Sequence, residues 1–272
     1  MNILRGCKRT FLNAIRSVSP SLATRIEAAS QRRHIRRFEQ SIGLDLLVER
    51  FLGTNGCVVH DGPFKGMHYI TKASGSALLP KLLGTYEREL TAAIEEAISR
   101  SPTQIMDVGC AEGYYAVGLV RRLPQAVVLG YDIDSHAKAS CLELAAANSV
   151  DSRVEILGFC DHSELRNRIG PGTLLVCDCE GFEWQLLDVE QVPSLAFADM
   201  IVELHGKTEE ECKQEMNSRL GVTHDLQFIT ATPRSVEMVT AIQDWSEDDQ
   251  MLALNEFRTN GQCWVWAKSK SA

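Results

Sequence analysis

The sequence predicts an α/β fold built on a mostly parallel, Rossmann-like sheet. Three observations carry that prediction. From Gln104 onward, short apolar strands alternate with helical stretches, the pattern of βαβ units. The first of these strands runs into a glycine-rich turn, Asp107-Val-Gly-Cys-Ala-Glu-Gly113, which passes straight into a helix. The second strand ends on Asp132, 23 positions beyond Gly109, where a nucleotide-binding sheet places an acid against a ribose.

The chain has 272 residues, of which 44% are apolar and 24% charged, an ordinary globular composition. No run of about 18 apolar residues is present, which predicts no membrane-spanning helix. Arg5, Lys8, Arg9 and Arg16 interrupt the first residues, so no secretory signal is expected. The net charge of −8 is uneven: residues 1–40 carry nine Lys/Arg against two Glu, or +7, which leaves −15 on the rest. An acidic body excludes general nucleic-acid binding. The nine cysteines form no zinc-type pair and read as reduced thiols of a cytoplasmic protein. Cys177 and Cys179 point the same way from one strand beside Asp178. They are read as apolar thiols, with a redox pair as the alternative.

Residues 1–40 read as two helical pieces, restarted at Ser19-Pro20. An apolar stripe (Leu4, Phe11, Ile15, Val18, Leu22, Ile26) is followed by basic Arg32, Arg33, Arg36 and Arg37. This arm is either a peripheral contact for a membrane or protein, or an amphipathic helix packed on the body. A β-hairpin is expected over 57–59 and 67–70 about Gly62-Pro63. A helix over 77–100 is interrupted at Gly84-Thr-Tyr-Glu87.

Strands are then predicted at 104–108, 127–132, 154–158, 173–178, 200–204 and 225–231. Helices are expected at 114–122, 136–148, 182–188 and about 247–257, with another from the capping box Thr208-x-x-Glu211 to Gly221. Asn260-Gly261 turns into a last strand, 262–267, as an antiparallel edge hairpin. The domain reading is a basic helical extension with hairpin over 1–75, and a cofactor-binding domain over 76–272.

Ligands of an open α/β sheet lie at the carboxyl ends of its strands. The candidates there are Asp107 to Gly113, Asp132, Cys160-Asp161, Asp178 to Glu183 and Glu203 to His205. Asp132 can accept two hydrogen bonds from a ribose diol. The turn lacks the middle glycine that admits a pyrophosphate, and Glu112 would repel one. A cofactor with ribose and adenine but no phosphate fits better, and S-adenosylmethionine is such a cofactor. The acids Asp107, Glu112, Asp132 and Asp178 suit its sulfonium.

The turn resembles the first motif of class I S-adenosylmethionine-dependent methyltransferases, D/E-x-G-x-G-x-G, with Ala111 at the middle glycine. Asp178-Cys-Glu-Gly-Phe-Glu183 is similar to the D-x-E-G-x-E motif of FkbM-like methyltransferases, and Glu203-Leu-His205 to that family's E-x-H. The resemblance covers residues 84 to 232. It implies a methyltransferase sheet and O-methylation of a hydroxyl on a sugar, glycan or other small molecule. It places Asp107, Gly109, Cys110, Ala111, Gly113, Tyr114, Asp132, Ile133, Cys160, Asp161 and Asp178 at the cofactor. His205, Asp178, Glu180 and Glu183 are the candidate catalytic groups, with His205 first as general base. No metal is assigned, although these acids with His205 form an alternative metal set. Glu87 is a further candidate for the methionine end of the cofactor. The other function classes open to the sequence are a NAD-type oxidoreductase and a non-catalytic cofactor-binding scaffold.

Overall fold

The structure, a computed structural model, describes residues 38, 40–73, 76–236, 239–258 and 262–271. The two helical pieces expected within 1–40 and the Asn260-Gly261 turn fall outside the described residues, apart from Phe38 and Gln40. Two compact units are present, Met1–Arg50 and Phe51–Ala272. The second holds the sheet. No described helix is long and apolar enough to cross a membrane.

The expected hairpin is reduced to one bridge. Val58 pairs antiparallel with His68, and Tyr69 N donates to Cys57 O at 2.8 Å. Val59 N donates to Met67 O at 2.9 Å and Gly66 N to Val59 O at 2.8 Å, and Phe64 and Met67 are fully buried, so cross-chain hydrogen bonds and packing together hold this segment. The predicted helix over 77–100 is three pieces. Helix α1 (Leu78–Leu83) stops at Gly84, whose φ is 79°. A 3₁₀ turn, Arg88–Leu90, follows, and then α2 (Thr91–Ser99). The Cβ of any residue at 84 would lie 2.0 Å from Asp61 O, so the break is imposed by a chain crossing.

From there the alternation is as expected: β1 (Gln104–Val108), α3 (Tyr114–Arg122), β2 (Val127–Tyr131), α4 (Ser135–Ala147), β3 (Val154–Leu157), α5 (His162–Arg168), β4 (Thr173–Cys177), α6 (Glu183–Leu186), β5 (Ala198–Leu204), α7 (Glu209–Leu220), β6 (His224–Thr230), α8 (Glu247–Ala253) and β7 (Cys263–Ser269). The Thr208–Glu211 capping box is formed in both directions.

The seven strands lie in the order β3-β2-β1-β4-β5-β7-β6. All pairs from β3 to β5 are parallel. The closing pair is antiparallel, as expected, but β7 sits inside, between β5 and β6. Its burial explains this. Trp264, Val265, Trp266 and Ala267 are at most 1% exposed, whereas β6 beyond His224 has only half-buried and exposed positions. A strand apolar on both faces belongs inside the sheet. The order reverses between β1 and β4, and the crevice of such a sheet opens at the carboxyl ends of those two strands.

Candidate active site

The glycine turn uses its own backbone donors. Gly109 N and Cys110 N both donate to Tyr131 O, at 2.8 and 3.0 Å, and Gly113 N donates to Cys110 O. Ala111 N donates to Asp132 Oδ2 at 3.0 Å, and the Asp107 carboxylate takes the Ala116 N–H of the first turn of α3. The turn therefore ties β1 to β2 and leaves none of these five donors for an anion.

Its glycines serve chain packing. Gly109, at φ 87°, lies so close to β4 that a Cβ there would be 1.7 Å from Asp178 O. Gly113, at φ 96°, clears the Cys141 thiol. Ala111 adopts a left-handed φ of 48° without being glycine, which fits a strained, functional turn.

Two of the acids expected at the crevice have other work. Glu112 is fully buried, forms an ion pair with Lys81 and accepts from Tyr69 Oη at 2.6 Å. It is neutralised and corrects the expectation of an exposed acid repelling phosphate. Asp161 caps α5, accepting from Glu164 N at 2.9 Å. The Cys110 and Cys160 side chains are buried, and Cys160 belongs to the apolar core cluster. Tyr114 is also buried, stacked edge-on against Phe64, Tyr86 and Tyr115. Its hydroxyl nevertheless lacks a hydrogen-bond partner.

Asp107, Asp132 and Asp178 remain. Burial raises Asp107 to about 7, and its Oδ2 has no partner. Burial also raises Asp132. Its Oδ1 accepts from Asp134 N at 2.7 Å, and each oxygen retains a second lone pair. Ile133 is 68% and Phe159 59% exposed, and Phe159 stacks on Phe182 at 5.3 Å. These form an apolar surface at the ends of β2 to β4.

The catalytic candidates converge on His205, just past β5. Glu183, at the start of α6, is fully buried. Its Oε1 accepts from His205 N at 2.7 Å and lies 3.2 Å from His205 Nδ1. Trp184 Nε1 donates to His205 O at 2.6 Å. The imidazole is thus fixed, with Nδ1–H on Glu183 and Nε2 on the opposite side of the ring. Around Nε2 lie Asp178 at 3.8 Å, Glu203 at 3.8 Å and Glu180 at 4.0 Å. Burial opposes the imidazolium, but the Glu183 hydrogen bond and the charges of Asp178, Glu183 and Glu180 outweigh it and raise the His205 pKa. Glu183 is correspondingly lowered: His205 and backbone hydrogen bonds overcome its burial.

Behind this cluster lie Glu87 and Glu203, both named from the sequence, and Arg258 and Glu256, which sequence reading missed. Arg258 reaches Glu203 Oε1 at 2.7 Å and Glu256 Oε2 at 2.8 Å, and also pairs with Glu87. Glu87 in turn accepts from Tyr115 Oη. Arg258 alone would hold Glu203 ionised, but it is shared among three acids. Burial, with the charges of Glu87 and Asp178, prevails and pushes Glu203 to about 10. Burial and the charges of Glu87 and Glu180 raise Asp178 to about 6, against His205. Asp178 and Glu203 titrate as one pair, and burial with the neighbouring charges makes that pair hold a proton more readily than a free carboxyl does. Glu87 and Glu180 hold left-handed φ values of 46° and 56°, a mark of imposed geometry. Ligand atoms of Asp178, Glu203 and His205 all lie within 4.8 Å of one another, close enough to share a divalent cation. The only sequence signal for Arg258 is a basic residue in the polar run before the last strand.

No family model matches the chain, and no curated protein does. Among solved structures it is similar to the O-methyltransferase TomG of Streptomyces achromogenes in complex with S-adenosylmethionine, at 14% identity and TM-score 0.45, over 65% of this chain and 78% of that one. It is also similar to an O-methyltransferase of Bacillus cereus in complex with S-adenosylhomocysteine, at 10% identity and TM-score 0.43, over 65% and 79%. A Podospora anserina methyltransferase bound to S-adenosylhomocysteine aligns at 12% identity and TM-score 0.40, over 66% and 77%.

Proposed function

We propose that this protein is an S-adenosylmethionine-dependent O-methyltransferase whose acceptor is a hydroxyl of a sugar, glycan or other small molecule. One observation carries the reading. A Glu183-oriented His205 presents its other ring nitrogen to Asp178, Glu180 and Glu203, next to the β4 end that docks on the glycine turn.

The cofactor fits the residues present. A ribose diol can use the remaining lone pairs of Asp132. The adenine can lie along Ile133 and Phe159. The unpartnered Asp107 Oδ2 and Tyr114 hydroxyl are buried groups awaiting a polar ligand, as the amino-acid end of the cofactor would supply. The engaged N–H groups of the turn argue against a pyrophosphate, and so against a NAD-type cofactor.

When bound, S-adenosylmethionine supplies an electrophilic methyl with a neutral leaving group. The protein's part is then alignment and proton transfer. Asp178 and Glu180 accept from the acceptor's hydroxyls and set its orientation. His205 Nε2 takes the proton of the reacting hydroxyl. Glu183 holds the tautomer and stabilises the imidazolium that forms. Arg258 on Glu203, and a proton held by the Asp178–Glu203 pair, limit the negative charge of the wall behind His205.

Calorimetric titration with S-adenosylmethionine and with NAD(H) tests the cofactor. Binding of NAD(H) alone would sink the reading. Binding of S-adenosylmethionine, with His205→Ala still methylating cellular metabolites at the wild-type rate, would favour the scaffold class.

A further inference from the structure

The site carries two thiols that methyl transfer does not use. Cys177 closes β4, and Cys179 stands two residues on, with Asp178 between them. Residues i and i+2 of an extended chain face the same side, and the two Sγ atoms are 3.5 Å apart. Cys177 is 1% exposed and packed in the core, whereas Cys179 is partly exposed. One thiol can therefore meet a solute and the other can only meet its neighbour.

We infer that Cys177 and Cys179 are a peroxide-responsive modification site, whose internal disulfide switches off the active centre between them.

The chemistry balances with hydrogen peroxide as oxidant. The Cys179 sulfur attacks peroxide, the O–O bond breaks, and sulfenic acid and water form. The Cys177 sulfur then displaces the hydroxyl from Cys179. An S–S bond forms, the S–O bond breaks, and the Cys177 proton leaves with the hydroxyl as water. The two thiols lose two electrons in all, and the peroxide gains them. A disulfide closed over so short a loop is strained, and strained disulfides are the labile, regulatory ones, so a dithiol reductant restores the thiols.

The consequences follow from what the three residues touch. Asp178 N donates to Val108 O at 2.9 Å, and Asp178 O sits against Gly109 with no room for a Cβ. Cys179 Sγ lies 3.7 Å from Glu183 Oε2, on the carboxylate that orients His205. Drawing the sulfurs together to about 2.05 Å must rotate the Asp178 peptide off the glycine turn and lift Cys179 from Glu183. Both halves of the crevice change together. This inhibitory half rests on the function proposed above, whereas the disulfide itself does not.

The sequence makes the test clean. No Lys or Arg lies between Arg168 and Lys207, and Cys177 and Cys179 are the only cysteines in that interval. Full-length protein is treated with hydrogen peroxide, alkylated and digested with trypsin. The expected result is that peptide 169–207 loses two hydrogens and takes no alkyl group, reversed by dithiothreitol. In parallel, the heat of S-adenosylmethionine binding is lost and returns on reduction. Cys179→Ser and, separately, Cys177→Ala should keep binding when peroxide is present.

Peptide 169–207 alkylated twice after peroxide, with other thiols oxidised, overturns the proposal. So does a formed disulfide with unchanged binding. If the reduced protein binds no S-adenosylmethionine, the function proposed above has failed, and the peptide mass still decides the disulfide.

Discussion

Two buried charge clusters lie near the sheet, and they are built on opposite principles. Beneath the start of α3, Lys81 and Glu112 are 3% and 0% exposed and matched one to one. Tyr69 adds a hydrogen bond, and the Lys81 ammonium lies over the rings of Tyr86 and Tyr114 at 4.7 and 5.6 Å. At the ends of β4 and β5, Glu87, Asp178, Glu183 and Glu203 crowd about Arg258 and His205. Acids outnumber cations there. Asp178 Oδ1 and Asp107 Oδ2 have no hydrogen-bond partner, and Asp107, Asp178 and Glu203 are all shifted upward. A matched pair holds a fold together. An unmatched cluster is costly unless something else completes it, which is the part the proposed function gives to a cationic cofactor with a hydroxylated acceptor.

Breaking the matched pair should have the largest effect on stability. Lys81→Met takes the ammonium away from the buried Glu112, and denaturant unfolding should show a loss of about 3–5 kcal/mol. The double change Lys81→Met with Glu112→Leu should recover most of it. If Lys81→Met costs nothing, the two clusters are not different in kind.

The unmatched cluster should respond in rate instead. His205→Ala should lower methyl transfer by about 100- to 10,000-fold with little change in unfolding free energy, read by transfer of label from S-adenosylmethionine and by chemical denaturation.

A pH profile sharpens this. The His205 pKa is raised, so the neutral base appears only as pH climbs through that raised value, and the acid limb of the rate should lie above the ordinary histidine range. Asp178→Asn removes a charge that raises it and should move that limb down by about one pH unit. An unmoved limb would assign the base elsewhere. For stability the sign is reversed: the contribution of cationic His205 is complete below about 6.5 and fades as pH rises through the folded value.

The smallest effect should come from Tyr69→Phe, which removes one hydrogen bond to a Glu112 still paired with Lys81. It should cost about 1 kcal/mol in denaturant unfolding and leave cofactor titration unchanged.

The contrast between the clusters also marks what could be read from sequence. The alternation of strands and helices, the turn at Asp107–Gly113 and the acids at strand ends were legible because they are local patterns with a fixed period or spacing. Asp178, Glu183 and His205 were found for the same reason: in a parallel sheet, the end of a strand is a place as well as a position. Arg258 and the Lys81–Glu112 pair were not found, because their partners, Glu256 apart, lie between 31 and 171 residues away and no local pattern encodes them. Glu112 was misread as a ligand-facing acid, since spacing alone cannot say which side of a turn a side chain takes.

The sequence by itself determined the sheet, the turn and which strand ends bear acids and the histidine, because periodicity and steric demand act within a few residues. Only the tertiary structure decided which charges are cancelled and which are left over. That depends on burial and on distances between segments, which set the free energy of every ionised group. It placed β7 inside the sheet through the burial of Trp264 and Trp266. It also spent the backbone donors of the glycine turn on its own strands, which turned an apparent anion cradle into a rigid wall beside Asp178.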